Sequence, residues 1–348
     1  MSPELSVIIP ALNEAAALPA LLAQLRAQQD IALEVLVADG GSTDNTAALA
    51  EQGGAKVVPA PRGRGAQMNA AARVASAGTL LFLHADSAFT EPLQLRRAFN
   101  ALHAAGARPA GAKPAGHFPL QFSRTQPGHE WFYRHLQEKT ATGRPGTING
   151  DQGLMIGAEF LRTLGGYDER LPFLEDQRLA AKIFAGGHWI LFDAPLITSA
   201  RRFETEGAHR RYTLMGLIMG LHAAGADEWF ARAPQVYAQQ HQTGPLDMGA
   251  WLALTWRVLI DAGPRRALQI LHGAGRYTRT NSWQMFFWMD VALRPLLGAG
   301  RYPLTRFHDT VFVRLTGNAA GDALATLLIS VWFLLVLPPA YAVADRLR

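Results

Sequence analysis

Four polar clusters, each closing an apolar run, hold the residues of this 348-residue sequence whose types and spacing could do chemistry. In Val7-Ile8-Ile9-Pro10-Ala11-Leu12-Asn13-Glu14 a strand-like run ends in Pro and hands over to Asn13 and Glu14. Glu14 can accept from a ribose hydroxyl or cap the next helix. In Val37-Ala38-Asp39-Gly40-Gly41-Ser42-Thr43-Asp44-Asn45-Thr46 two glycines permit close backbone approach. Asp39 can accept from a base imide or a ribose hydroxyl, while Ser42 to Asp44 can equally cap a helix. Arg62-Gly63-Arg64-Gly65-Ala66-Gln67-Met68-Asn69 sets cations and glycines before an apolar helix, a corner suited to a diphosphate. Its spacing is that of neither a P-loop nor a dinucleotide fingerprint. Leu80-Leu81-Phe82-Leu83-His84-Ala85-Asp86 delivers His84 and Asp86 to the same side of a strand end. Imidazole and carboxylate together suit Mn²⁺ or Mg²⁺ bridging phosphates.

Two later segments add acid–base and cationic groups. Leu171-Pro172-Phe173-Leu174-Glu175-Asp176-Gln177 places adjacent carboxylates at a helix start. Such a carboxylate can take a proton from an attacking hydroxyl, or simply complement the helix dipole. Arg201 and Arg202 could close over phosphates, or lie on the surface.

In order and separation, the four clusters resemble the front half of a family-2 glycosyltransferase with the GT-A fold. That pattern is Ile-Pro-x-x-Asn-Glu, an Asp-Gly-Ser-x-Asp-x-Thr turn, Arg-Gly-x-x-x-Asn, and a strand ending in Asp-x-Asp. The resemblance covers roughly residues 5–222. Within the family it points to the small bacterial branch associated with radical-SAM/selenoprotein gene sets and arsenosugar biosynthesis. The residues behind that narrower likeness are His84-Ala85-Asp86, Gly150-Asp151-Gln152-Gly153, Gly165-Gly166-Tyr167, Glu175-Asp176 and Thr198-Ser199-Ala200-Arg201-Arg202-Phe203. The departure is His84, where most of the wider family has Asp. The resemblance implies that Pro10, Ala11, Glu14 and Asp39 hold base and ribose, and that Arg64, with Gln67 and Asn69, faces base or diphosphate. It also implies that Asp86, with His84, binds the metal. Asp151 would shape the sugar pocket, Arg201 and Arg202 would reach the phosphates, and Asp176 rather than Glu175 would be the base.

The elements needed to position these groups alternate. Leu5–Pro10, Leu33–Asp39, Lys56–Pro59 and Thr79–Leu83 read as strands. Helical spacing fills Ala15–Gln29, Thr46–Glu51 and Ala66–Ala77. This rhythm predicts an α/β fold, a mostly parallel sheet with helices on both faces, whose strand ends form the ligand crevice. Arg108 to Gly116 reads as a mobile loop. From about Tyr212 aromatic-rich helical stretches take over: Leu214–Leu221, Trp251–Ile260 and Trp283–Leu297. Three parts are expected: a GT-A domain over 1–225, a helical, membrane-interfacial region over 226–321, and a hydrophobic membrane-associating segment over 322–348.

Composition bounds the partners. Hydrophobic residues make up 49% and charged residues 18%, which excludes a disordered chain. Net charge is +5, and Ala226 to Arg348 alone carries twelve Arg against eight Asp and Glu. An apolar, Arg-rich rear half favours phosphate groups or a membrane surface over nucleic acid. The absence of cysteine removes disulfides and thiolate chemistry. Met1-Ser2-Pro3-Glu4 lacks the basic region of a signal peptide. Ala323 to Ala344 has no charge and is long enough to span, with Pro338-Pro339, Tyr341, Arg346 and Arg348 as an interfacial flank. Arg residues beyond a single span would oppose the positive-inside tendency, and the two prolines would break a straight helix. A segment lying on the inner leaflet, with both ends cytoplasmic, is therefore favoured.

The function expected is inverting, metal-dependent hexosyl transfer from a nucleotide-diphosphate sugar, a UDP sugar first, using Mn²⁺ or Mg²⁺. The acceptor would be a lipid-linked or small-molecule hydroxyl at the cytoplasmic side of the bacterial inner membrane. A sugar nucleotidyltransferase would want a signature Lys near the N-terminus, and no Lys precedes Lys56. A non-catalytic, membrane-tethered nucleotide-sugar binder would have no use for Asp86, Glu175 and Asp176.

Overall fold

The structure, a computed structural model, describes residues 2–107, 113–170, 173–236 and 244–346. Residues 108–112 of the expected loop, Leu171 and Pro172 of the carboxylate segment, and Arg348 of the tail lie outside the described residues. The chain divides into two compact units, 1–125 with 132–200, and 126–131 with 201–348.

The first unit is built on a seven-stranded sheet. Its strands are β1 (Leu5–Ala11), β2 (Leu33–Asp39), β3 (Lys56–Pro59), β4 (Thr79–Phe82), β5 (Lys113–His117), β7 (Leu154–Gly157) and β8 (Gly187–Leu191). The order is β3-β2-β1-β4-β7-β5-β8, and β7 alone runs antiparallel to its neighbours. This is the mostly parallel sheet that the sequence rhythm predicts. A small parallel pair, β6 (Leu120–Ser123) and β9 (Leu196–Ser199), completes the strands.

Alternation along β1 explains the layering. Leu5, Val7 and Ile9 face one core with Leu18, Leu21, Leu22 and Leu25 of the helix Leu18–Arg26. Ile8, with Leu36 and Phe82, faces the other core, where Met68, Ala71, Leu179 and Ile183 pack from the helices Arg64–Val74 and Glu175–Gly186. A strand buried on both faces reads as a continuous apolar run, which is how β1 reads.

The second unit is helical. Its main helices are Ala208–Ala223, Asp227–Val236, Met248–Asp261, Gly263–Thr280 and Trp283–Ala292, followed by short pieces to Thr316. The helix Ala208–Ala223, which the sequence reading kept with the first domain, belongs to this unit. The last helix runs from Ala319 to Arg346, 28 residues whose most apolar 18-residue stretch has a mean hydropathy of 2.1, long and apolar enough to cross a membrane. The break expected at Pro338-Pro339 does not occur. A π-helical turn over Trp332–Val336 precedes the prolines, and the helix resumes as Leu337–Arg346. A widened turn spares the carbonyls that the proline rings would otherwise strike.

Candidate active site

The parallel strands β1, β2 and β4 end side by side, so the segments after them share one edge of the sheet. Asn13, at φ +58°, accepts the Thr43 backbone N–H on its Oδ1 at 2.8 Å. The backbone N–H groups of Asn13 and Glu14 donate to Ser42 Oγ and Thr46 Oγ1 at 2.9 and 2.8 Å. Asp39 accepts the N–H groups of Gly41 and Ser42, each at 3.2 Å, which closes a turn on its own strand end. Pro10 and Ala11 are buried at the end of β1. The base-and-ribose group of the sequence reading is thus gathered in one place, braced by capping-type bonds.

Gln67 and Asn69 have their amides committed to the protein. The Gln67 Nε2 donates to the carbonyls of Ala11 and Ala38, both at 2.8 Å, and ties the ends of β1 and β2 together. Asn69 donates to the Tyr167 carbonyl at 2.9 Å and accepts the Tyr167 N–H at 3.0 Å. A Cβ on Gly166, at φ +66°, would stand 2.7 Å from the Asn69 Oδ1, so glycine is required there. These two amides hold the frame of the expected diphosphate corner, and Arg64 opens its helix.

Arg64 is the centre of the charged cluster. Its Nε lies 3.2 Å from Glu175 Oε1, and its second guanidinium nitrogen lies 3.3 Å from His84 Nε2. The other ring nitrogen, Nδ1, is 2.8 Å from Asp151 Oδ1. A guanidinium has only donors, so the Nε2 facing it is the lone-pair nitrogen, and Nδ1 carries the proton given to Asp151. Burial opposes charge on His84, but Asp151 outweighs it and the pKa is raised.

Beside this chain stands Asp176. Its Oδ2 accepts the Gly150 N–H at 2.8 Å and its Oδ1 accepts the Gln177 N–H at 2.7 Å. Burial pushes the Asp176 carboxyl up, and the neighbouring Glu175 charge adds to the effect. Both carboxylates follow Leu174, a non-glycine residue in the left-handed region at φ +71°. Backbone in that region is costly and concentrates at functional sites. Tyr167 feels the same carboxylates: burial, then Asp176 and Glu175, hold its hydroxyl well above its usual range.

The turn Gly150–Gln152 joins the parts. Asn149 caps it, accepting the Asp151 N–H, and the buried Gln152 side chain bonds the Asn149 N–H, His117 Nδ1 and the Thr140 carbonyl. The turn holds Asp176 through the Gly150 N–H and His84 through the Asp151 carboxylate. A Cβ on Gly150 would lie 2.7 Å from His84 Nε2. Sequence reasoning singled out Asp151 but missed its pairing with His84 and the Gly150 N–H on Asp176. The Asn149/Gln152 spacing, that of a capping box, was the available signal for the turn itself.

A divalent cation bridging phosphates takes few protein ligands beside the donor's oxygens. Asp86 offers a half-buried carboxylate, and His84 offers Nε2 as a lone-pair donor with Asp151 behind it. Among the described residues no three His, Asp or Glu side chains converge to hold an ion by themselves. The donor set therefore fits an ion that arrives with the donor and shares its phosphates. Arg201 and Arg202 belong to the second unit, where they open the helix Arg201–Glu206.

Residues 6–161 match the family model Glycosyl transferase family 2. Over 82 residues the chain is 39% identical to uncharacterized glycosyltransferases of Mycobacterium tuberculosis and Mycobacterium bovis. That stretch is 23% of this chain and 36% of those relatives, about a third of their length. Among solved structures, the chain is similar to S. aureus TarS in complex with UDP, at 13% identity and a TM-score of 0.48, covering 94% of this chain and 91% of that one. It is also similar to the mannosyltransferase PcManGT from Pyrobaculum calidifontis in complex with GDP-Man and Mn²⁺. There the identity is 18% and the TM-score 0.46, covering 95% of this chain and 88% of that one.

Proposed function

We propose that this chain is an inverting glycosyltransferase that moves a hexose from a nucleotide-diphosphate donor, a UDP sugar first, to a hydroxyl acceptor. The acceptor is a lipid-linked or small molecule at the cytoplasmic face of the membrane. The observation that carries this is the Asp176 carboxylate, half-buried and held by the Gly150 N–H, next to the Asp151–His84–Arg64–Glu175 chain. All of it sits in the first unit, within and just beyond the stretch that matches the family model.

The step follows from the groups in place. Asp176 takes the proton of the acceptor hydroxyl as that oxygen bonds the anomeric carbon. The bond from that carbon to the diphosphate oxygen breaks, and the nucleoside diphosphate leaves with the electron pair. Arg64 meets the charge that develops on it. Mn²⁺ or Mg²⁺, held by Asp86 and His84 with the donor's oxygens, would neutralise the same charge. Asp39, Glu14 and the buried Pro10–Ala11 end of β1 bind base and ribose, and Asp151 holds the His84 ring in its tautomer.

The test is product analysis with a panel of nucleotide sugars, chosen by thermal shift in the presence of Mn²⁺. Nucleoside diphosphate release that rises with acceptor, giving an inverted glycoside, is the expected result. Pyrophosphate as product would mean nucleotidyl transfer, and binding without either product would mean a sensor. Asp86→Ala should abolish turnover and weaken metal-supported nucleotide binding; full activity in chelator would overturn the metal assignment.

A further inference from the structure

The last helix is tied at both ends within the second unit. Near its start Asp322 pairs with Arg279 at 2.6 Å, and Thr326 meets His272 at 3.2 Å. Near its end Asp345 pairs with Arg210 at 2.6 Å, and the Tyr341 hydroxyl donates to Thr213. Between them Phe333 and Leu337 pack on Leu252 and Leu217. One face of the helix is therefore covered along its length by three neighbours.

The opposite face is bare and apolar. Leu324, Leu327, Val331 and Leu335 recur at helical spacing, with 56%, 60%, 41% and 67% of their surface exposed. Only 11% of its most apolar stretch is buried, so it is not a core helix. The preceding segment repeats the pattern: Phe307, Val311 and Leu315, four residues apart, are exposed beside the exposed Arg306 and Arg314. Apolar stripes rimmed by Arg match an anionic lipid surface.

A crossing is disfavoured by what the helix carries with it. Gly275 approaches so closely that a Cβ there would stand 2.5 Å from the Thr326 backbone. The helix Gly263–Thr280 therefore accompanies the first part of the tail, bringing the exposed His272 and Arg276. The helix Met248–Asp261 accompanies the second part, bringing the exposed Arg257. If the tail spanned the bilayer, these groups would sit at hydrocarbon depth, where ionisable side chains are strongly disfavoured.

We propose that Ala319–Arg346 lies in the plane of an anionic phospholipid surface, bare stripe down, with both ends on the same side. This deepens the membrane-surface part of the proposed function and is independent of the transfer chemistry. The chain has no cysteine, so single cysteines report cleanly. Ala320→Cys and Ala344→Cys, in the full chain bound to inner-membrane vesicles, should both react with an impermeant maleimide from the side on which nucleotide binds. Labelling of the two from opposite sides would establish a span and overturn the proposal. Leu327→Asp with Leu335→Asp should cut binding to phosphatidylethanolamine vesicles containing phosphatidylglycerol by about tenfold or more. Circular dichroism should be unchanged, since both side chains already face outward. Unchanged vesicle binding, or a shift from dimer to monomer with no vesicle binding in the parent, would refute it. Nucleoside diphosphate release on a soluble acceptor, measured on the same samples, tests the chemistry separately.

Discussion

Asp176 and Glu175 are neighbours in sequence with different work. Asp176 is held by two backbone N–H groups and faces the Gly150 turn, while the buried Glu175 pairs with Arg64. Asp176→Asn should therefore keep donor binding and lose turnover by on the order of 10²-fold or more. Glu175→Gln should release Arg64 and raise the donor KM more than it lowers kcat; the reverse split would exchange the two roles. Because burial raises the Asp176 pKa, and a base must be ionised to act, kcat should fall as pH drops through a value above the ordinary carboxylate range. Glu175→Gln, which removes the adjacent negative charge, should move that acid limb to lower pH. The types of these residues were legible in the sequence, but the partner of each was not. Nothing in a one-dimensional pattern says that Arg64 would meet a carboxylate far along the chain, or that Asp151 would take His84.

At the scale of elements, the first four strands were legible almost to the residue, because burial in a sheet writes apolar runs. The stretch from Arg108 to Gly116, expected to be a mobile loop, instead ends in the sheet strand β5, whose Lys-Pro-Ala-Gly-His run carries no apolar pattern. β2 and β3 fall where the sequence put them. What pattern could not show is how the loops are locked. Gln67 looked like a donor ligand because it lies in a basic, glycine-rich segment, yet it spans β1 and β2. Gln67→Leu should cost about 1–3 kcal/mol by denaturant unfolding, since it strands two buried carbonyls. His117, almost fully buried and accepting from Gln152, gives a second check. Burial lowers its pKa to about 4, so the folded state binds fewer protons than the unfolded one. Stability should be full above pH ~6.5 and fall as pH drops toward 4, by roughly 3 kcal/mol from this group. In His117→Gln that part of the slope should vanish.

For the whole molecule, composition and the uncharged tail already pointed to a surface of lipid. The sequence could not tell a crossing helix from a lying one, since length and hydropathy are the same for both. The proposed lying arrangement rests on packing, because one face is covered by helices that carry Arg and His. Binding to anionic vesicles should weaken as salt rises, through screening of Arg306, Arg314 and their neighbours. It should persist at high salt through the apolar stripe. Complete release by salt alone would mean that the stripe contributes nothing.

The guanidinium of Arg64 touches both His84 on the metal side and Glu175 on the base side. A diphosphate entering that corner competes for this one cation and draws it from Glu175. The Glu175 charge then bears more fully on Asp176, whose basicity increases only once the donor is in place. The enzyme should accordingly follow a compulsory order, donor before acceptor, with little wasteful hydrolysis until both are present. Product-inhibition patterns report this directly: nucleoside diphosphate should compete with the donor and not with the acceptor, and random-order kinetics would show that the cation is not shared in this way.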